Sequence, residues 1–137
     1  VFNSGIVLDG MTQSVKDAYA HGITVAMGTD ASCPFSTQTG MWREVIYFAK
    51  LGGFGTKAAL YAATMGGAAA VGQADKTGSL EVGKRADILL LSDDPVSNPE
   101  TLRTPVAVTA GGRLVAHPKP KRNKKIETVL DGLMKEL

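Results

Sequence analysis

The carboxylate of Asp30 is the side chain whose position best suits it to chemistry. It follows residues 23–27, a short apolar run that predicts a strand buried on both faces, and then Gly28 and Thr29. In parallel α/β proteins the loops after the strand ends hold functional groups, and a carboxylate there can bind a metal or move a proton. A turn or capping aspartate is common at the same place, so the residues alone leave both interpretations open.

Other residue types that bind metals or act as nucleophiles are scarce. The sequence contains two histidines, His21 and His117, and one cysteine, Cys33, with no HxH, HExxH or CxxC spacing. A catalytic zinc site needs about three protein ligands and an open position, so we expect the chain alone to bind no zinc tightly. No histidine base lies near Cys33 in the sequence, which predicts a small buried residue and not a nucleophile.

Two segments resemble ligand-binding patterns but have plainer explanations. Residues 78–85 nearly match the phosphate-binding loop, yet Arg85 replaces its hydroxyl residue and Glu81 puts negative charge where phosphate would lie. A strand is predicted next, so no helix N-terminus faces an anion. The basic run 118–125 has no aromatic residues among its members for base stacking, which predicts a solvated linker.

Length and charge exclude several classes of protein. With 137 residues the chain is too short for a complete (β/α)₈ barrel, which takes about 250. Hydrophobic residues at 44% and charged residues at 20% are typical of a globular protein. Five of the 15 basic residues lie in 119–125 and leave ten against 13 acidic ones, so a nucleic-acid-binding body is not supported. No apolar run approaches the ~20 residues that span a membrane, and the single cysteine favours a reducing, cytoplasmic compartment.

The elements that would position Asp30 follow from the spacing of apolar residues. Helical spacing predicts helices at 11–21, 38–51, 57–65 and 126–136, with a further turn or short helix at 68–72. Thr12 or Asp9 is expected to cap the first helix, Gly22 to end it, and Thr56 to cap the third.

A change of pattern after residue 78 predicts a second kind of structure. Strands are expected at 86–91, 106–110 and 113–116, with Gly111 and Gly112 as a two-residue hairpin turn. Three strands are few for a free-standing sheet with an apolar face, so partners from elsewhere are expected.

Four segments in order resemble one known family. They are HGITVAMGTD at 21–30, AALYAAT at 58–64, the small-residue stretch 66–72, and GSLEVGKRADI at 78–88. In the metal-dependent amidohydrolase superfamily they resemble, respectively, the eighth barrel strand, the EAL..AT helix, the stretch after it, and the G.I..GK.ADL turn and strand. Over residues 11–116 the chain is most similar to the imidazolonepropionase-like branch, which includes prolidase-like members.

The resemblance implies a fold and a reaction. The fold is α/β, the C-terminal fragment of a (β/α)₈ amidohydrolase barrel plus part of a small composite β-sandwich. The reaction is attack of a metal-activated hydroxide on the carbon of an amide or related carbonyl, with zinc the expected divalent metal. Asp30 matches the strand-eight aspartate, which ligates the metal and accepts the proton of the attacking water. The histidines and the bridging residue of the family belong to earlier strands and are not present here.

These resemblances divide the chain into three parts. Residues 1–77 would form the end of the barrel, 78–117 part of the sandwich, and 118–137 a basic linker and terminal helix. The expected partner is a small amide or peptide-like substrate of the intact enzyme, with no nucleic acid and no membrane. An open barrel strand and orphaned sandwich strands predict a homo-oligomer. The alternatives are a non-catalytic, self-associating fragment and a small binding module.

Overall fold

The structure, a computed structural model, describes residues 4–136. Residues 1–3 and 137, at the outer ends of the predicted first and third parts, lie outside this range. The elements in chain order are α1 Ser4–Ala20, α2 Met41–Leu51, α3 Gly55–Tyr61, a π-helix Ala62–Gly66, α4 Gly67–Ala70, β1 Ile88–Leu90, a 3₁₀-helix Pro99–Arg103, β2 Ala107–Ala110, β3 Arg113–Ala116 and α5 Lys124–Met134.

Helix α1 is longer than its sequence pattern predicts. It includes Thr12 and Asp9, so the prediction that one of them caps it is wrong. A cap requires non-helical backbone, and residues 4–8 contain no proline that would interrupt the helix before that point. The predicted stop at Gly22 is confirmed, since its φ of +71° lies in the left-handed region that ends helices.

The apolar segment 23–27 is not a buried strand in this chain, which corrects that prediction. It has no strand partner among residues 4–136, and the side chain of Ile23 is 59% exposed. A strand is defined by hydrogen bonds to a neighbour, so without one the segment is only extended backbone. Two backbone bonds tie it to the helices: the Ile23 amide donates to the Ala18 carbonyl of α1 at 2.9 Å, and the Met27 amide donates to the Ala62 carbonyl at 3.2 Å.

The π-helix at Ala62–Gly66 lies against this extended segment. The helix predicted at 57–65 becomes α3 and then this wider turn, and the residue at the N-cap is Phe54, which makes no side-chain cap bond. The predicted cap at Thr56 is therefore wrong. A Cβ on Gly66 would lie 2.5 Å from the Val25 carbonyl oxygen, so the close approach depends on glycine.

Helix α2 supplies most of the apolar core. Trp42, Val45 and Ile46 are buried, and Gly52 ends the helix. Rings of Phe48 and Phe54 lie 5.2 Å apart between centroids and connect α2 to the turn that precedes α3. None of the helices in the described part of the chain is long and apolar enough to cross a membrane.

The second part of the chain is a three-stranded antiparallel sheet in the order β1-β2-β3. The hairpin is confirmed: Gly111 and Gly112 have φ of 56° and 82°, as a type I′ turn requires. The carboxylate of Asp87 accepts a bond of 2.7 Å from the Gly111 amide and fixes the turn. β1 and β3 are exposed throughout. Helices with a small sheet agree with the predicted α/β class.

Candidate active-site loop

The loop after the extended segment has an unusual backbone. Asp30, Ser32 and Phe35 have φ of 47°, 94° and 65°, values that side chains other than glycine rarely adopt. Cross-loop bonds hold it: the Ser32 amide donates to the Ser36 carbonyl at 3.1 Å, and the Ser36 hydroxyl donates to the Thr29 carbonyl. Three such residues among the six at 30–35 store backbone strain that surrounding contacts must maintain, a feature that clusters at functional sites.

Asp30 lies at the start of this loop with its carboxylate exposed. The Cys33 thiol donates to its Oδ2 at 3.5 Å. Cys33 is itself exposed, so the prediction that it is a small buried residue is wrong. The tight turn at 30–33 forces both side chains outward, since no neighbouring strand among the described residues covers them.

A complete metal site does not form from these residues. Within residues 4–136, no three His, Cys, Asp or Glu side chains converge closely enough to hold an ion. Asp30 and Cys33 are fewer ligands than the three that a catalytic zinc takes from protein. The residues present therefore do not fit a metal ion by themselves.

The two histidines make their hydrogen bonds outside the loop that carries Asp30. The His21 ring shares a 2.8 Å contact with the Asp17 carbonyl at the end of α1, as expected of a residue that ends a helix. His117 has φ of 46°, and its amide donates to the Val106 carbonyl at 2.8 Å beyond β3. Neither hydrogen-bonds to Asp30 in the described structure.

The segment that nearly matches a phosphate-binding loop is internally neutralised. Lys84 Nζ lies 3.1 Å from Glu81 Oε1 and donates to the Ser79 hydroxyl at 2.7 Å. The Glu81 carboxylate also accepts a hydrogen bond from the Ser79 hydroxyl, and this bond, with the bond from Lys84 and the lysine charge, holds the pKa of the Glu81 carboxyl below its ordinary value. Strand β1 follows, and no helix begins there, in agreement with the interpretation of residues 78–85 as a turn.

Helices α2 and α5 lie beneath the loop that carries Asp30. A small cavity of about 40 Å³ separates them and is lined by Thr29, Phe35, Arg43, Glu44 and Leu130, among others. Glu44 has no acidic or basic partner among the described residues, and burial raises the pKa of its carboxyl. The loop that carries Asp30 thus rests on a half-buried, unpaired carboxylic acid.

An ionic cluster joins α2, the 3₁₀-helix and α5. The Arg43 guanidinium, 2% exposed, lies 2.9 Å from Glu127 and 2.6 Å from Asp131. Arg103 reaches the same two carboxylates at 3.4 and 2.8 Å. The guanidinium carbons of both arginines lie over the Trp42 ring, at 4.4 and 5.0 Å from its centroid. The helix that follows the basic run is therefore fixed to the helix that follows Asp30.

The sequence pattern of α5 did not reveal this cluster. The amphipathic pattern predicts that the apolar side chains of this helix face the core, namely Ile126, Val129, Leu130 and Leu133. Ile126 and Leu130 are half-buried, but Val129 and Leu133 are 49% and 51% exposed. Glu127 is only 7% exposed, because Arg43 pairs with it on the buried face. The available signal was the spacing of Glu127 and Asp131, which lie four residues apart on one helix face.

Comparison with known proteins agrees with the family that the motifs indicate. A model of the amidohydrolase family matches residues 3–117. An imidazolonepropionase of Syntrophobacter fumaroxidans is 42% identical over 95 residues, 64% of this chain and 22% of that protein. A prolidase-like structure from Bifidobacterium longum superposes with a TM-score of 0.85 at 38% identity, and the match covers 89% of this chain and 30% of that chain. An Xaa-Pro dipeptidase with bound methionine gives a TM-score of 0.64 at 31% identity, over 77% of this chain and 25% of that one.

The chain spans less than a third of each of these relatives, between 22% and 30% of their lengths. The family model nevertheless matches more than half of it, in the region that contains all four of the quoted motifs. The resemblance predicted from residues 21–88 is confirmed. This chain belongs to the amidohydrolase family.

Proposed function

We propose that this chain is the C-terminal part of a longer, metal-dependent hydrolase that cleaves carbon–nitrogen bonds in small amide or dipeptide-like substrates. In this proposal residues 1–77 are the end of the barrel, 78–117 part of the composite sandwich, and 118–137 a linker and terminal helix. The small share of each relative that the chain covers supports a longer protein. The peptidase name of one structural relative supports the bond type.

An open groove on the chain also supports the proposal. It has a volume of about 440 Å³ and is lined by apolar side chains of α1, the extended segment and α2, including Met11, Val15, Val25, Met27 and Phe48. A face of this kind is normally covered in a folded protein, because leaving apolar surface in water costs about 25 cal/mol per Å². The preceding strands of a barrel would cover it.

The position of Asp30 is the observation that carries the proposed function. It stands at the end of the extended segment, exposed, on a loop whose strained backbone is held by internal bonds. Members of the family generally use divalent metals, and such an ion polarises the amide and lowers the pKa of water. We propose that Asp30 contributes one oxygen ligand, that zinc is the metal, and that the same carboxylate accepts the proton of the attacking water.

The test is Asp30→Asn in the longer protein that the coding DNA upstream of Val1 would encode. The amide keeps the shape but loses the charge and the proton-accepting role, so kcat/KM for an Xaa-Pro dipeptide should fall at least about a hundredfold. Asp75→Asn, at another exposed carboxylate, should be silent. Near-normal turnover of folded Asp30→Asn would show Asp30 to be a turn residue.

A second candidate is a non-catalytic fragment that associates with itself. Exposed apolar side chains favour it, among them Ile6 at 69% and Leu114 at 65%. If no longer reading frame exists, this candidate replaces the first. If one exists, elemental analysis of the longer protein separates the two candidates, because only the hydrolase should contain bound zinc, and oligomeric state separates self-association from a small binding module.

A further inference from the structure

Helix α5 reaches the underside of the loop that carries Asp30, residues 29–37. The small cavity of about 40 Å³ between them is lined by Phe35 of the loop and by Leu130 of α5. The size of this cavity places the Leu130 side chain close beneath the loop. The match to the amidohydrolase family ends at residue 117, and α5 lies wholly after it. An element beyond the family match therefore supports the loop.

A path of bonds also connects the end of this loop to α5. The Gly40 amide donates to the Thr37 carbonyl at 2.9 Å, and the Arg43 amide donates to the Gly40 carbonyl at 2.8 Å. The Arg43 guanidinium in turn binds Glu127 and Asp131 of α5. A Cβ on Gly40 would lie 3.0 Å from the Thr37 carbonyl oxygen, so this turn is closely packed. Arg43 thus joins the backbone that ends the loop to the helix that lies beneath it.

The position of α5 is fixed by charges and leaves one leucine to face the loop. Arg43 and Arg103 hold its two carboxylates, and the Arg103 carbonyl accepts a bond from Arg122, which lies just before α5. Leu130 is half-buried and lines the cavity. Leu133, one helical turn further on, is 51% exposed and lies outside the lining. The contact of α5 with the loop can therefore be changed separately from its exposed face.

We propose that α5 positions the loop that carries Asp30, and that Leu130 and Arg43 are the positioning residues. The proposal rests on the function proposed above and adds to it, because residues 118–137 are there only a linker and terminal helix. Leu130 supports the loop from below, and Arg43 holds α5 against the helix into which the loop leads. Both residues act through the loop, and neither takes the place of Asp30 in the reaction.

The backbone of the loop is the reason that it needs support. Asp30, Ser32 and Phe35 have positive φ, and strain of this kind persists only where surrounding contacts maintain it. Without those contacts the loop relaxes and the Asp30 carboxylate moves. Misplacement of a catalytic group by about 1 Å can lower the rate about a hundredfold. Loss of the contacts made by α5 should therefore change the loop and turnover more than it changes the rest of the fold.

Amide hydrogen exchange in the 137-residue chain, followed by NMR, tests the support directly. The matched variants are Leu130→Ala and Leu133→Ala, the same change at two positions of one helix. In Leu130→Ala the amides of Ser32 and Ser36, which are hydrogen-bonded within the loop, should exchange at least about tenfold faster, because the loop opens locally more easily. Amides of the hairpin β2–β3 should change less than about twofold, and Leu133→Ala should leave both sets within about twofold of the parent chain.

A second pair of variants tests the ionic route. Asp131→Asn removes a charge that lies 2.6 Å from Arg43, whereas Asp75→Asn removes the same charge at an exposed position. Asp131→Asn should accelerate exchange in the loop at least about threefold more than in the hairpin, and Asp75→Asn should not. Leu130→Met, which conserves volume, should restore loop protection to within about twofold of the parent chain.

The same leucine pair tests catalysis in the longer protein. Leu130→Ala should lower kcat for an Xaa-Pro dipeptide at least about tenfold and leave KM within about twofold, because the lost contact acts on the position of Asp30 and not on substrate binding. Leu133→Ala should leave both constants within about twofold of those of the parent protein.

Equal acceleration of exchange in the loop and the hairpin would overturn the proposal, since α5 would then stabilise the whole chain and not the loop. Unchanged loop exchange in Leu130→Ala, equal effects of the two leucine variants, or an undiminished kcat would also overturn it. The exchange measurement involves no metal and no turnover. Near-normal turnover of Asp30→Asn would therefore contradict the proposed function without altering the exchange result, and a failure of the exchange result leaves the role of Asp30 unaffected.

Discussion

At the scale of single residues, Arg43 shows how a buried charge can be tolerated. Burial alone would lower its pKa, but hydrogen bonds from its guanidinium to Glu127 and Asp131 and their charges outweigh this, and its pKa is raised. The same bonds, with those from Arg103, hold the pKa of Asp131 below its ordinary value although burial opposes this. The arginine is stable there only because both carboxylates are present.

Arg43→Met should therefore lower the free energy of unfolding by about 3 kcal/mol, because it leaves Glu127 buried with only the more distant Arg103. Urea unfolding followed by circular dichroism would measure it, with Arg113→Met on the exposed β3 as control. Adding Glu127→Met should restore part of the loss, since the uncompensated charge is removed. A loss below about 1 kcal/mol would contradict a structural role for the cluster.

Glu44 should lower the free energy of unfolding as pH rises, whereas a carboxylate paired with a cation raises it. Burial raises the pKa of its folded form above the unfolded value, so the folded state retains the proton to higher pH. The ionised form then costs stability above the folded pKa, and this cost disappears as pH falls through it. Glu44→Gln should be more stable than the parent chain at pH 7, and the difference should vanish near pH 4.

The free energy of unfolding of both chains would be measured with urea at each pH. Contributions from the other titrating groups are the same in both chains and cancel in the difference between them. Glu136→Gln, at an exposed position, is the control and should show no such trend. A constant difference between pH 7 and pH 4 would mean that the Glu44 carboxyl is not the group that titrates.

At the scale of elements, the π-helix and the extended segment position the loop. The Met27 amide and the Gly67 amide share the Ala62 carbonyl, an arrangement that the wider π turn permits. π turns inside helices often occur at functional sites. The bond from Met27 to Ala62 fixes the point at which residues 28–30 leave the helices.

Gly66→Ala should disturb this contact, because its Cβ would lie 2.5 Å from the Val25 carbonyl. Overpacking of this kind costs about 1–3 kcal/mol. Gly67→Ala is the matched control: its nearest neighbour lies at 3.8 Å, and alanine favours a helix by up to about 1 kcal/mol. Thermal unfolding of both variants would decide, and equal stability would show that the helix and the segment do not touch.

At the scale of the whole molecule, the chain leaves much apolar surface uncovered. Met11, which lines the large groove, is 64% exposed, and Leu8 in the same groove is 51% exposed. Exposed faces and open sheet edges favour association with another chain. In a longer protein the preceding strands would take this place, and the isolated chain has none of them among its described residues.

We therefore expect the isolated chain to form a homo-oligomer at micromolar concentration, most simply a two-fold dimer. Met11→Glu in the groove should shift sedimentation toward the monomer by at least about tenfold in dissociation constant, which is 1.4 kcal/mol. Val82→Glu, fully exposed and outside the groove, should have no effect. A stable, monodisperse monomer of 14.3 kDa would rule out the open-barrel interpretation of this chain.

Local pattern in the sequence determined the helices, the hairpin and the family. Gly22 and the pair Gly111-Gly112 identified their turns because a positive φ is a local property of glycine, and four ordered motifs led to the confirmed family. The same pattern placed Asp30 after an apolar segment, but its role as metal ligand and base stays a prediction.

Only the tertiary structure decided the strand and the buried face of α5. Residues 23–27 have strand composition, yet a strand needs a neighbour, and composition says nothing about whether one is present. Glu127 is buried because Arg43, 84 positions away in the chain, supplies its counter-charge. Long-range packing of this kind, which no local spacing encodes, brings α5 against α2.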